Sequence, residues 1–383
     1  MRRLMALCAS VVLADTMLYA ALTPLLPELA EEHGLSKAGS GLLVAAFAVG
    51  ALCAAIPSGV AAARLGPRLT VLGGLALMSA ASLGFALADD PWTLGLSRFV
   101  QGVGSTLSWS GASTWLVQAA PRSQRGQVLG TAISAAVVGA LLGPVIGSIA
   151  STVGIGPTFA AVSAIGAVLF ASTLATRGVP AEPQPLSALW PVLRNRSFVQ
   201  GLWLMLLPAL LFGVLAVLVP LDLAAAGWGA VAIGAVFLVG AGAEAVMHPL
   251  LGRYSDRRGR LRPMRAALVA SVAVSVALAW AGPAGLVAAL SFCAFLAYGS
   301  FFAPASAHVA DAAEHAGLTQ GLAFGVVNGA WAVGNAVGPS VGGALADAAG
   351  DALPFLLCAG ICALSLPLLA RSGTRLERVP ETP

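Results

Sequence analysis

The stretch Gly139-Ala-Leu-Leu-Gly143-Pro144-Val-Ile-Gly147 returns 195 residues later as Gly334-Asn-Ala-Val-Gly338-Pro339-Ser-Val-Gly342. A second pattern repeats at almost the same distance, a glycine with an arginine five residues further on, at Gly59 and Arg64 and again at Gly252 and Arg257. Two unrelated patterns that share one period indicate that the chain contains two copies of one unit, each about half its length.

The composition places this unit in a membrane. Of the 383 residues, 58% are hydrophobic and 9% are charged, whereas soluble domains carry about 25% charged residues. The net charge of +4 does not indicate a nucleic-acid partner, because the arginines follow the membrane topology. All five cysteines lie in apolar stretches, which favours small buried side chains over disulfides or metal ligands. We therefore predict no metal site and no cofactor.

Apolar runs long enough to cross a bilayer, roughly 20 residues each, number twelve. They predict an all-α membrane protein with twelve transmembrane helices in two pseudo-symmetric six-helix bundles, an architecture typical of transporters. The predicted spans 1 to 12 are 4–27, 39–62, 69–88, 92–118, 128–153, 157–176, 198–221, 229–250, 266–282, 284–308, 319–346 and 352–370. The predicted domains are a bundle at 1–176, a cytoplasmic linker at 177–197, a second bundle at 198–371 and a tail at 372–383.

Arginine placement predicts the orientation. The termini and the even-numbered connections hold nearly all the arginines, whereas the odd-numbered connections hold only Lys37 as a basic residue. The positive-inside rule therefore puts both termini in the cytoplasm. We expect a multi-pass protein of the inner (plasma) membrane. An alternative is that Arg2 and Arg3 begin a cleaved signal peptide, but cleavage would break the two-fold repeat.

Four local patterns carry a family resemblance. They are Asp15 followed by Pro24-Leu-Leu-Pro27, Arg98-Phe-Val-Gln-Gly-Val-Gly104, the glycine stretch at 139–147, and Gly252-Arg-Tyr-Ser-Asp256-Arg257-Arg-Gly259-Arg260. Taken in this order over the whole chain, they resemble the major facilitator superfamily, and within it the twelve-span proton-coupled drug antiporters. The resemblance implies the major facilitator fold, and it implies gating by the 252–260 loop through Asp256 and Arg257.

The first copy of the loop departs from the family pattern, because Ala63 stands where an aspartate belongs and Pro67 replaces a later arginine. A gating role for Arg64 is correspondingly weaker. The connection 309–318 is predicted to face the same compartment and carries Asp311 and Glu314 without an arginine. We hypothesise that these acids supply the missing negative charge opposite Arg64.

The glycine stretches also have a physical meaning. Glycines spaced by four clear one helix face so that two backbones can approach, and the proline that follows interrupts the hydrogen-bond ladder. We expect spans 5 and 11 to pack and bend, each against the opposite half. Tight packing without motion is the alternative.

Charges inside a membrane are costly and usually functional. The sequence places three of them in spans, Asp15, Arg98 and Glu244. On span 4 the spacing of Arg98, Gln101, Ser105 and Ser108 predicts one polar stripe. The resemblance implies that spans 1 and 4 line a central cavity, so we expect Asp15 to exchange a proton for substrate under the influence of burial and of Arg98. A structural hydrogen-bonding role is the alternative for Arg98.

Glu244 and His248 are four residues apart on span 8. They could titrate together near neutral pH. A hydrogen-bonded structural carboxylate is the alternative reading of Glu244. The repeat offset places Ala209 opposite Asp15 and Phe292 opposite Arg98, which concentrates proton chemistry in the first half.

Aromatic and amide side chains predict the substrate wall. One carboxylate beside such a wall suits an amphipathic or cationic molecule better than a sugar. The predicted cavity residues are Tyr19, Gln101, Ser105, Trp203, Tyr298, Phe301, Asn328 and Trp331.

Together these features predict a secondary active transporter, not an enzyme, because membrane-enzyme and ATP-binding motifs are absent from the sequence. We expect it to export a small amphipathic or cationic molecule in exchange for protons, as a multidrug efflux antiporter does. Its predicted partners are that substrate, protons and the lipid bilayer, without nucleic acid, and it is predicted to be a monomer. An uncoupled or symport-type facilitator of a sugar or other metabolite is the alternative.

Overall fold

The structure is a computed structural model that describes residues 1–121, 125–180, 193–258, 261–301, 305, 308–309 and 320–376. Side chains at 125–127, 129, 249, 252, 255–258, 261, 320–324 and 370–376 are also outside the description. The regular structure of the described residues is helical, in agreement with the prediction of an all-α membrane protein.

Twelve spans follow one another in chain order. Span 1 consists of the helix Arg2–Ala20, a 3-10 turn Thr23–Leu25 and the helix Leu26–Glu32. Spans 2 to 12 are Lys37–Arg64, Pro67–Ala86, Pro91–Ala119, Arg125–Val153, Ile155–Leu174, Arg196–Ala225, Ala230–Arg258, Leu261–Ala279, Ala284–Gly299, Gln320–Ala349 and Ala352–Leu376.

Within the described residues, nine helices are long and apolar enough to cross a membrane by composition and length. Span 4 does not reach that hydropathy because its polar stripe lies in the middle of the helix. The first helix of span 10 ends at Gly299, before the predicted end at 308, and residues 305 and 308–309 are again helical. Glycine has a low helix propensity, which favours an end at this position.

Span 8 is longer than predicted. Its helix continues to Arg258, so most of the predicted 252–260 loop is the last two turns of a helix. Arginines in the last turn interact favourably with the negative end of the helix dipole, which explains why the helix extends beyond the apolar segment. Side chains of Gly252, Asp256 and Arg257 are outside the description, as are Gly259 and Arg260 altogether.

The glycine stretch of span 5 packs against span 1. A Cβ atom at Gly139 would collide with the carbonyl oxygen of Leu13, and one at Gly143 would collide with Ala20. Gly147 continues the row against Ala21. Absence of side chains thus lets the two backbones touch along three helical turns.

Span 11 repeats this arrangement on span 7. A Cβ atom at Gly334 would collide with the carbonyl oxygen of Leu206, and one at Gly338 with that of Leu210. Gly342 lies against Val214. The prediction that spans 5 and 11 pack against the opposite half is therefore wrong for their glycine faces, which contact their own halves.

Other faces of the same helices join the halves. Span 2 runs alongside span 11, and span 5 runs alongside span 8. A Cβ atom at Gly234 of span 8 would collide with Ser148 and would lie 3.1 Å from the carbonyl oxygen of Pro144. Two ends of the bundle can be distinguished and are called here the Lys37 end and the Arg64 end, after the first and last residues of span 2.

All five cysteines are free. Cys8, Cys358 and Cys362 are buried as predicted, whereas Cys53 and Cys293 are exposed on the outside of the bundle. In a membrane protein such a surface faces lipid, so an apolar stretch does not by itself predict burial.

Candidate functional site

Asp15 lies on span 1 inside the first half and is 5% exposed. Its Oδ1 atom has no hydrogen-bond partner among the described residues. The side chain of Ser105 on span 4 lies near the carboxyl group. Burying an unpaired polar atom costs about 1–3 kcal/mol, so the position carries a stability penalty that packing alone would not select.

Arg98 connects span 4 to span 1. Its Nη1 donates to the carbonyl oxygen of Leu18 at 3.4 Å and to Oε1 of Gln101 at 3.0 Å, and its Nη2 donates to the carbonyl oxygen of Tyr19 at 3.4 Å. The guanidinium carbon lies 4.8 Å from the ring centroid of Phe47, a cation–π distance. Arg98 is 1% exposed, so its charge is stabilised by these groups instead of by water.

No ion pair among the described residues joins Arg98 to Asp15. Arg98 therefore does not act on Asp15 through a direct contact, because its guanidinium group is bound to carbonyl oxygens of span 1. The polar stripe also divides along span 4. Ser105 faces Asp15, whereas Ser108 lies against span 3, with its Oγ 3.7 Å from the sulfur of Met78.

An aromatic cluster joins the two halves beside Arg98. The ring of Tyr19 lies 5.1 Å from that of Phe47 and 5.2 Å from that of Trp331, which belongs to span 11. The hydroxyl of Tyr19 donates to Oδ1 of Asn335, also on span 11, at 2.7 Å. Asp15, Arg98 and this cluster form the candidate site.

Three predicted cavity residues lie elsewhere. Trp203 donates through Nε1 to Oγ of Ser365 at 2.9 Å, which ties span 7 to span 12. The hydroxyls of Tyr298 and Ser275 are 2.8 Å apart, and Phe301 is fully buried in the hydrophobic core cluster that also contains Tyr298. These side chains thus make contacts within the second half, and their place at the substrate wall stays a prediction. Asn328 is half-buried on span 11.

Glu244 and His248 form a contact on span 8. Oε1 of Glu244 lies 3.3 Å from Nε2 of His248, and that nitrogen lies 3.1 Å from the carbonyl oxygen of Gly299. A Cβ atom at Gly299 would collide with the Glu244 side chain. The pair therefore binds span 8 to the end of span 10.

The predicted gating residues are described only in part. Arg64 is exposed at the end of span 2, and Gly59 has open space around its α-carbon. Asp311 and Glu314 lie outside the described residues, so the hypothesis that pairs Arg64 with these acids stays a prediction.

Sequence reasoning missed two features of the site. Phe47 is one of many apolar residues of span 2, and nothing in its neighbourhood marks it as the partner of Arg98 and Tyr19. The second is the role of Lys37, which its place as the sole lysine of the sequence signals. It bridges the halves, because its Nζ contacts Asp222 and Asp351 of the second half.

The family model of the Major Facilitator Superfamily matches residues 6–324. The solved structure of the nucleoside transporter NupG superposes with a TM-score of 0.74 over 96% of this chain and 99% of that chain, at 13% identity, a likeness that concerns the fold alone.

Curated relatives align over shorter segments. An MFS-type transporter, ppzB of Metarhizium rileyi, is 29% identical over 195 residues, 48% of this chain and 40% of the relative. The quinolone resistance protein NorA of Staphylococcus aureus is 31% identical over 107 residues, 28% of each chain. The chain thus spans less than half the length of the curated relatives it matches.

The family model covers most of the chain, and the twelve spans, the repeated glycine packing and the fold likeness agree with it. The chain is a multi-pass membrane protein that belongs to the Major Facilitator Superfamily.

Proposed function

We propose that the protein exports a small amphipathic or cationic molecule by alternating access, in exchange for protons. It would do so as a monomer in the inner (plasma) membrane, with both termini in the cytoplasm and with the halves 1–176 and 198–371 as its moving bodies. The arginine distribution supports this orientation, which makes the Lys37 end the outer end.

The observation that carries the proposal is the buried carboxyl of Asp15 with its unpaired Oδ1. A carboxyl group inside a membrane protein can bind and release a proton as its surroundings change, and an oxygen atom without a hydrogen-bond partner is available for this. Protonation in one orientation of the halves and release in the other would couple the proton gradient to substrate movement.

The aromatic cluster supports an amphipathic or cationic substrate. Tyr19, Phe47 and Trp331 supply ring faces from both halves, and Asn335 adds an amide that can form hydrogen bonds. Ring faces attract organic cations and bury apolar groups. Because Tyr19 is bound to Asn335 across the halves, a substrate that entered here would replace contacts that now hold the halves together.

Export is supported by one relative. NorA of Staphylococcus aureus is named a quinolone resistance protein, and resistance by a membrane transporter implies outward movement of the drug. Glu244 and His248 are a second pair of residues that could carry the proton. Their contact with the carbonyl oxygen of Gly299 instead favours a structural role for them.

The proposal is tested in liposomes that contain purified protein and an internal pH indicator. A panel of lipophilic cations and metabolites is added against an imposed pH gradient, with wild type beside Asp15→Asn. Asp90→Asn is the matched control, since Asp90 caps span 4 locally by accepting from the backbone N–H of Trp92 and Thr93.

We expect substrate-dependent proton movement in wild type and Asp90→Asn, and a loss of at least about 100-fold in Asp15→Asn, because the substituted amide cannot carry a proton. Substrate flux that is unchanged by the pH gradient and by Asp15→Asn would contradict proton exchange. It would favour the alternative, an uncoupled facilitator.

A further inference from the structure

The sole lysine of the sequence, Lys37, lies where the two halves meet. Its Nζ is 2.5 Å from both carboxylate oxygens of Asp351 and 3.3 Å from Oδ1 of Asp222. Lys37 begins span 2 in the first half, whereas Asp222 is near the end of span 7 and Asp351 immediately precedes span 12. One ammonium group thus contacts carboxylates from two elements of the opposite half.

A third carboxylate holds the same helix by its backbone. Oδ1 of Asp347, on span 11, accepts from the backbone N–H of Lys37 at 3.0 Å, and its Oδ2 accepts from the backbone N–H of Ala38 at 2.9 Å. These N–H groups belong to the first turn of span 2, which has no intrahelical acceptors for them and carries the positive end of the helix dipole. The second half therefore caps a helix of the first.

Glycines bring the backbones of spans 2 and 11 together next to these charged groups. A Cβ atom at Gly343 of span 11 would collide with the carbonyl oxygen of Lys37, and one at Gly41 of span 2 would collide with that of Pro339. Farther along the same two helices, a Cβ at Gly329 would lie 3.9 Å from the Cβ of Ala55. At the Lys37 end, spans 2 and 11 thus approach each other closely through glycine faces.

We propose that Lys37, Asp222, Asp347 and Asp351 form an ionic latch that holds the Lys37 end of the transporter closed, and that its opening releases the halves at this end. Glycine contacts can separate without withdrawing side chains, so the charged groups supply the specific resistance to opening. The lysine and the two aspartates that it contacts are 27–36% exposed, so water can replace the ionic contacts when the halves part.

The latch rests on the proposed alternating access, but its test requires neither substrate nor proton flux. Nitroxide labels are placed at Leu87→Cys and Ala226→Cys, which are exposed positions at the Lys37 end of the first and second halves. Cys53 and Cys293, the two exposed native cysteines, are replaced by serine. Pulsed electron paramagnetic resonance then measures the distances between the labels.

We expect a single short distance in the parent protein. Lys37→Gln should increase the long-distance population about three- to tenfold, in keeping with the modest strength of partly exposed ion pairs. Lys37→Arg and the charge control Asp90→Asn should leave the distribution unchanged. The exchange of charges in Lys37→Asp with Asp351→Lys should restore the short distance, because a cation on span 12 can then contact an anion on span 2.

A distance distribution that is the same in Lys37→Gln and in the parent would overturn the latch. The latch would also be overturned if the double variant Lys37→Asp with Asp351→Lys kept the same long-distance population as Lys37→Asp alone. Should Lys37→Gln fail to fold, Asp351→Asn removes the shortest ionic contact from the other side and is expected to give the same shift.

Discussion

Span 1 and span 7 occupy corresponding places in the two halves, and each receives a row of three glycines, from span 5 and span 11 respectively. Gly143 lies on span 1 much as Gly338 lies on span 7. The polar groups do not follow this symmetry. The repeat offset puts Ala209, an apolar core residue, opposite Asp15, and it puts Phe292 opposite Arg98.

The contrast extends to the surroundings. Arg98 is 1% exposed and bound to span 1, whereas Phe292 borders a surface cleft beside Trp228 and Val239. Duplication therefore conserved the geometry by which helices approach one another, while the chemistry differs between the halves. In the proposed mechanism both halves move, whereas the carboxyl group that would carry the proton lies in the first half.

The largest effect is expected where the halves differ most. Arg98→Lys keeps the charge but loses the planar fork that reaches two carbonyl oxygens and Gln101. We expect it to lower the stability by about 3 kcal/mol, the upper range for hydrogen bonds of a buried charged group. Thermal unfolding of the purified protein measures this. Phe292→Leu is the matched change in the second half, and we expect it to cost less than about 1.5 kcal/mol.

The halves should respond alike where they are alike. Gly143→Ala and Gly338→Ala each place a methyl group against the backbone or Cβ of a neighbouring helix, and we expect each to lower stability by about 1–3 kcal/mol. Gly73→Ala, with open space around its α-carbon, is the control and should not destabilise. A large loss for one half and none for the other would show that the glycine rows are not equivalent.

The smallest effect separates the shared cluster from the second-half interior. Tyr19→Phe removes the hydroxyl that donates to Asn335 across the halves, and we expect the apparent affinity for the transported substrate to change about threefold or more. Trp203→Phe removes the bond to Ser365 and should cost about 1 kcal/mol of stability. The apparent affinity of this variant for the substrate should stay at the wild-type value. A changed affinity would support the predicted place of Trp203 at the substrate wall.

Much of the fold could be predicted because hydropathy reports it directly. The bounds of most spans agree with the structure within a few residues, and the repeated glycines predicted close helix packing. The helices on which these glycines pack could not be predicted, because a glycine clears one helix face but does not specify which helix packs against it. Within the described residues these partners are spans 1 and 7.

The site was harder to predict for physical reasons. Helices in a membrane are apolar on all faces, so the side on which Trp203 or Tyr298 points leaves no periodic pattern. Arg98 binds backbone carbonyl groups of span 1, which any sequence would provide. The latch at Lys37 assembles residues from spans 2, 7 and 11 and from the start of span 12, a proximity that only the folded chain creates.

The central claim is that Asp15 in the first half carries the proton. It is tested most directly by adding saturating substrate, chosen from the liposome panel, to purified protein in a weakly buffered detergent solution and recording the pH. The account predicts proton release from wild type and Glu244→Gln, and none from Asp15→Asn. Release that persists in Asp15→Asn and disappears in Glu244→Gln would contradict it and move the coupling site to the second half.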